Sequence, residues 1–362
     1  MVIMSTPKLT IDLKKIEHNT KTIFQLCKES SIALAGVTKG TLGMPEVANA
    51  MIRGGVTWLA ESRLDNIKRL KDSGIKVPVI LIRSPHLSEI DRVVDLADIS
   101  FNTEYKVIKA LSEASISKNK VHNIVIMIDL GDLREGIWPD ELRDIIHKAL
   151  TLKGVKIVGL GTNLTDLNGV IPTTENNQKL VDLASEMEKE FGIEFEILTA
   201  ANSSSIRLLE LKGVPNRINH FRIGEAILLG RETIAREVID NTYQDAFVLT
   251  AEIIEKKLKP SIPVGDIGQD AFGNTPIIED KGDMIRCILN IGRQDTNIGG
   301  LIPRNKNIEI VGASSDHLVI DITKAGDLDI GDMVSFNLEY SAFLGAMTSP
   351  FVAKVIGLTD KL

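Results

Sequence analysis

The sequence predicts an α/β protein, a (β/α)8 barrel in the N-terminal part followed by a C-terminal all-β domain. Three observations predict it. The chain has 362 residues, more than the roughly 100 to 250 of one ordinary domain. From Lys14 to about Ala235, amphipathic helical segments alternate with short β-branched runs, which is the grammar of repeated β-α units. From about Val238 the pattern changes to alternating, turn-punctuated segments with few helical periods.

Eight runs read as the barrel strands, taken in order: Ile32 to Lys39, Val56 to Glu61, Val77 to Arg83, Asp98 to Asn102, Asn123 to Gly131, Val155 to Asn163, Phe195 to Ser203 and Ile218 to Gly224. Several are continuous apolar stretches, as strands buried on both faces require. Helices fill the gaps. "PEVANAMIRGG" carries apolar residues at helical spacing and stops on Gly54 and Gly55, and "QKLVDLASEMEKEFG" ends on Gly192. The barrel is expected over 1–235 and the β domain over 236–362, with a short, structured join near Arg231 to Asp240. Pairing of residues 1–11 with the β domain is left open. In the second part "AFVLTAEIIEKKL", "DMIRCILNIG", "DMVSFNLEY" and "FVAKVIGL" read as strands, and "GASSDHLVID" reads as a strand preceded by a tight turn at Gly312.

Composition narrows the function. A hydrophobic content of 43% with 25% charged residues suits a soluble protein with a large core. The two cysteines, Cys27 and Cys287, lie far apart without ligand spacing, so no disulfide framework or zinc site is indicated and a reducing cytoplasm fits. No apolar run approaches the ~18 residues of a membrane span. A net charge of −7 without a basic, aromatic-interleaved block argues against nucleic acid.

The first strand ends in Thr38-Lys39-Gly40. Lys39 could merely mark the strand end, where the chain leaves the core for water. In a (β/α)8 barrel, however, working groups sit at the C-terminal ends of the strands, with a phosphate site made by the loops after the seventh and eighth. Those strands end in "TAANSSS" and "FRIGEA", which offer Ser203, Ser204 and the backbone N–H groups around Gly224 to a dianion. A rim lysine facing a phosphate cradle suits a phosphorylated aldehyde held as a Schiff base, pyridoxal 5′-phosphate.

Across nearly its whole length the chain resembles the fold-type III pyridoxal-phosphate enzymes related to alanine racemase, and within them the ornithine racemase branch. The carriers are "GVTKG", "DLGDLREGI", "TAANSSS", "FRIGEAILLGRE", "IGRQD" and "GASSDHLVID". The resemblance implies that Lys39 carries the cofactor and abstracts the α-proton on one face of an amino acid. It implies a cofactor-binding set of Asn163, Asn202, Ser203, Ser204, Arg222, Gly224 and Glu225 beside that lysine. Arg222 would donate to the pyridine nitrogen, whereas related decarboxylases read Glu-Pro-Gly-Arg where this chain reads Arg222-Ile223-Gly224-Glu225. A guanidinium keeps its own proton and leaves the ring nitrogen neutral, which weakens the electron sink and favours reprotonation at Cα. The alternative is a barrel arginine paired with a nearby carboxylate.

By the same resemblance Arg134 lies close to the substrate carboxylate, against the alternative of a surface ion pair with Asp132 or Glu135. The carbamylated lysine that supports this arginine in the alanine-specific enzymes is replaced by Met127, so Arg134 must be oriented by something else. Racemisation wants an acid/base on each face of the carbanion. No tyrosine stands in "PVGDIGQDAFGNTP", where the family brings one from the partner subunit. Asp266 or Asp270 could serve as that second acid/base or could bind the distal ammonium of a diamino acid. The alternative is a turn residue that satisfies its own backbone. Ser314, Ser315, Asp316 and His317 are expected as substrate contacts across a dimer, with an ordinary half-buried imidazole as the alternative for His317. No metal is expected. The reading is an amino-acid racemase, with ornithine as its substrate, acting as a cytoplasmic homodimer with shared active sites and without nucleic-acid or membrane partners. Racemases of lysine, arginine, alanine or serine, a decarboxylase of the same fold type and a non-enzymatic cofactor carrier are the alternatives.

Overall fold

The computed structural model describes residues 7–275 and 277–360. Strand β1, Lys8–Ile11, precedes eight parallel strands: β2 Ala33–Val37, β3 Trp58–Glu61, β4 Val79–Leu81, β5 Ile99–Asn102, β6 His122–Met127, β7 Val155–Gly161, β8 Ile197–Ala201 and β9 His220–Ile223. These eight close into a barrel, with β2 hydrogen-bonded to both β3 and β9. Every strand expected from the sequence is present. The first is shorter than expected: it stops at Val37, and Lys39 opens a 3-10 turn, Lys39–Thr41.

Alternate positions of the barrel strands pack together inside. Ala35, Val37, Ala60, Ile80, Phe101, Val125, Met127 and Val158 share one buried cluster with Trp58 and Ile82 against it, the period-two filling that makes such a barrel a packed core rather than a pore. That parity fixes which rim residues face the barrel mouth. Between the strands, helix Pro45–Arg53 starts on Pro45 and stops at Gly54, and helix Thr174–Phe191 opens with a capping box between Thr173 and Asn176 and ends on Gly192 at φ 64°.

This first compact unit runs over Leu13–Tyr243, past the boundary expected at 235. The extra residues are held by buried Asn19, whose side-chain amide donates to the Tyr243 carbonyl at 2.8 Å and accepts from its N–H at 2.7 Å.

The second unit runs from Gln244 onward together with the segment ending at Asp12. Its strands are β10 Phe247–Pro260, β11 Asp283–Leu289, β12 Leu301–Pro303, β13 Glu309–Ala313, β14 Leu318–Asp321, β15 Met333–Leu338 and β16 Ala353–Ile356. The sheet order is β12-β15-β10-β11-β14-β13, and β1 pairs antiparallel with β10 and parallel with β16. The sequence leaves open whether residues 1–11 pair here. Lys8–Ile11 do, and residues 1–6 lie outside the described residues. The unit is not wholly β: Tyr340–Thr348 form a helix, in a stretch too apolar for its period to show beside strands. Gly312 is not a turn either. It sits at an irregularity in β13, and Ser314 to His317 make the reversal into β14.

Candidate active site

Lys39 stands on the C-terminal rim of the barrel, in step with inward-facing Ala35 and Val37. Its side chain is exposed and has no partner among the described residues. The turn that carries it is tied down. Thr41 N–H donates to the Thr38 carbonyl at 3.0 Å, Gly43 N–H reaches the same carbonyl at 3.2 Å, and Leu42 takes the left-handed φ of 55°. Thr38 Oγ1 donates to Glu61 Oε2 at 3.1 Å. Glu61 is fully buried, and burial raises its pKa against hydrogen bonds from Ser62, Asn66 and Thr38.

Arg222 enters the barrel from β9 and is 5% exposed. Its guanidinium lies over the Phe101 ring at 5.2 Å and donates to the Thr162 carbonyl at 2.9 Å, to Asn163 Oδ1 at 3.3 Å and to Thr199 Oγ1. A guanidinium only donates. Thr199 Oγ1 therefore accepts from Arg222, and it also hydrogen-bonds His220 Nδ1, 2.9 Å away. Burial, reinforced by the Arg222 charge, pushes the His220 pKa down to about 3. Burial also lowers Arg222 to about 10, with Asp166 and Glu135 working the other way, so it stays charged near neutrality. No carboxylate bonds it directly; the ion-pair alternative is not what this side chain does.

The end of β8 and the start of the helix after β9 meet on the same C-terminal rim of the barrel. Ser203 Oγ accepts from the Ala226 N–H at 3.0 Å, and Asn202 Oδ1 accepts from Ser204 N–H at 2.7 Å. Ser204 Oγ is buried without a partner, an atom whose hydrogen bond remains to be made. Gly224 lies against the end of β2: a Cβ there would come within 3.1 Å of Val37 Cβ. The Glu225 side chain is turned to Arg236.

Arg134, after β6, makes the surface ion pair with Glu135 that the sequence left as an alternative, but not with Asp132. It grips both Glu135 oxygens and donates to Asp166 Oδ2 at 2.8 Å. Burial opposes and these carboxylates outweigh it, raising its pKa. Asp166 also accepts from Asn163 Nδ2 at 2.7 Å, and Asn202 Nδ2 donates to Leu164 O at 2.8 Å and Asn163 Oδ1 at 3.3 Å. Arg222, Asn163, Asn202, Asp166 and Arg134 thus form one hydrogen-bonded chain across the rim.

The other predicted residues lie in the second unit. Asp270 is an exposed turn residue, its Oδ1 accepting from the Phe272 and Asn274 N–H groups at 2.8 Å each. Those bonds, Asn274 first, hold its carboxyl below the usual range. Asp266 is exposed and has no side-chain partner among the described residues. His317 Nδ1 bonds Asp316 Oδ1 at 2.7 Å on the β13–β14 turn, and Ser314 and Ser315 carbonyls accept from Arg293 and Gln294 N–H groups at 3.0 and 2.9 Å. Gly292 makes that approach possible, since a Cβ would sit 2.4 Å from the Asp316 nitrogen. His317 is half-buried, as its alternative reading had it. Arg293 stacks over Phe272 at 4.5 Å, so the three loops "IGRQD", "SSDH" and "QDAFG" form one cluster.

Residues 11–232 match the family model described as alanine racemase, N-terminal domain. The chain belongs to the alanine racemase family. It is 42% identical over 350 residues to an ornithine racemase of Acetoanaerobium sticklandii, covering 96% of this chain and 99% of that one. It is 41% identical over 352 residues to a lysine racemase of Thermotoga maritima, covering 97% and 99%. An alanine racemase from Bartonella henselae with covalently bound pyridoxal phosphate shares the fold at a TM-score of 0.74 and 17% identity, over 98% of this chain and 100% of that one.

Within this alanine racemase-family barrel, the sequence missed Thr199, His220, Glu61 and Asp166. Thr199 and His220 have the same inward parity as Arg222 and were legible from it. Asp166 sits four residues beyond Thr162, on a loop at the functional end of β7, where the barrel rule points but no motif does. Glu61 reads as the polar end of a strand, and nothing in its surroundings in sequence separates it from an exposed one.

Proposed function

We propose that this chain is a pyridoxal 5′-phosphate-dependent amino-acid racemase that interconverts L- and D-ornithine. One observation carries the reading: a partnerless lysine on the rim of a family barrel whose buried arginine, Arg222, is charged and free of carboxylates. The residues fit the cofactor. Lys39 offers the amine, Ser204 Oγ an unused hydroxyl for phosphate, and Arg222 a donor on a fixed arm. The bound cofactor supplies an electrophilic carbonyl and a conjugated ring that draws electrons from Cα.

The chain's own groups then divide the work. Lys39 holds the cofactor and moves the proton on one face of Cα. Arg222 keeps its own proton, gives none to the ring nitrogen and so favours return of the proton to Cα over other outcomes. Arg134 takes the substrate carboxylate with the N–H donors that Glu135 and Asp166 leave unused. Asp266 moves the proton on the opposite face, and Asp270, kept ionised by its turn, suits the distal ammonium of a diamino acid. Ser315, Asp316 and His317 line the substrate's approach. The ornithine and lysine racemase relatives, both acting on diamino acids by name, support that substrate class. The active form is a homodimer in the cytoplasm, the β-domain loops of one chain meeting the barrel mouth of its partner. No helix among the described residues is long and apolar enough to cross a membrane.

Purified protein incubated with single enantiomers of ornithine, lysine, alanine and serine tests this. Loss of optical rotation with ornithine and no carbon dioxide release is expected. Release of carbon dioxide without racemisation would make it a decarboxylase.

A further inference from the structure

Arg134 is held by an acidic residue that no motif identifies. Its Nη1 donates to Asp166 Oδ2 at 2.8 Å, while Nε and Nη2 take Glu135. Of the five N–H donors of a guanidinium, the two that remain are aimed by whatever fixes these three. Glu135 is the next residue in the chain, so it moves with Arg134 and cannot fix it against the barrel. Asp166 comes from a different loop.

That loop is built to be rigid. Asp132 is 1% exposed and accepts four backbone N–H groups from it: Thr165 at 3.2 Å, Leu167 at 2.9 Å, Asn168 at 3.2 Å and Val170 at 3.2 Å. Its own carbonyl takes the Asn168 side-chain amide at 2.7 Å. Thr165, just before Asp166, has φ 77°, and Leu133, just before Arg134, has φ 53°. A branched residue held in the left-handed region is strained and persists only where its surroundings over-determine it. The strain flanks the two partners on both loops. The same Oδ2 of Asp166 also takes Asn163 Nδ2 at 2.7 Å, and Asn163 Oδ1 takes Arg222. Met127, at the end of β6, is packed in the apolar barrel interior, its sulfur filling the space over Gly161.

We infer that Asp166 is the positioning residue for Arg134, anchoring the guanidinium to the barrel so that its free donors meet the substrate carboxylate. The anchor is an aspartate of the β7 loop, locked by Asp132. The inference rests on the racemase reading.

The test compares two ligands by titration calorimetry on the cofactor-loaded protein: ornithine and its decarboxylated counterpart, 1,4-diaminobutane. Asp166→Asn and Asp166→Ala should weaken ornithine by about tenfold to a hundredfold, the loss expected when a hydrogen bond to a charged group is removed, and leave the diamine within about twofold. The racemisation KM should rise more than kcat falls, and acetate should restore part of the Asp166→Ala loss. Equal weakening of both ligands, or none of either, in variants that melt near the wild-type temperature would overturn the inference. A wild type that racemises no amino acid would overturn the racemase reading, and Asp166's role with it.

Discussion

The barrel rim and the β-domain loops treat their polar side chains oppositely. On the rim, Arg222, Thr199, His220 and Asn163 are buried or half-buried and depend on one another across the ends of three strands. In the loops, Asp270 satisfies the amides of its own turn and His317 bonds the residue beside it. A rim side chain therefore has one arrangement, set by long-range partners, and removing it leaves buried groups unpaired. A loop side chain is locally content and free to be used by something outside its unit. The division suits an enzyme whose cofactor side is pre-organised and whose second acid/base arrives on another chain.

The comparison breaks most sharply in a mixing experiment. Lys39→Ala and Asp266→Asn chains, each expected to lose roughly 10²- to 10⁴-fold in rate, should on subunit exchange regain up to about a quarter of wild-type activity per site, because random pairing makes half the dimers mixed and each holds one intact site. No recovery despite demonstrated exchange would put both proton-moving groups in one chain, or show that Asp266 is the wrong aspartate; Asp270→Asn in the same mix separates the two.

A smaller effect is expected from Arg222→Glu. A carboxylate there would hold the ring nitrogen protonated and strengthen the electron sink, so racemisation slows and transamination becomes measurable. Unchanged rates of both in a folded variant would show that Arg222 does not face the ring nitrogen.

The smallest concerns stability alone. His220 has a pKa of about 3 in the fold against an ordinary 6.5. As pH falls from 6.5 the unfolded chain takes up a proton that the folded chain refuses, so stability should fall from pH 6.5 toward 3. His220→Asn, which keeps a hydrogen-bonding partner for Thr199, should flatten that slope in urea titrations without abolishing it, since burial also lowers His122 to about 4. An unchanged slope would mean that His220 is already charged or exposed.

The same contrast explains what could be read without coordinates. Barrel strands announce themselves because a strand buried on both faces must be a short apolar run; Lys39 follows from its strand end, while Arg222 was read from the family resemblance. The anchoring of Arg134 was not legible, because it joins loops 32 residues apart through side chains with no fixed spacing. Nor was the helix Tyr340–Thr348, whose apolar residues nearly surround it. Asp270 was legible only as two alternatives, since an aspartate before Ala271, Phe272 and Gly273 makes a good turn whether or not it also meets a substrate.

The most direct test of the account is borohydride reduction of the cofactor-loaded protein followed by peptide mapping. The account predicts a yellow protein that bleaches on reduction and a pyridoxyl group on Lys39, with neither colour nor label in Lys39→Ala. A label on any other lysine would contradict it.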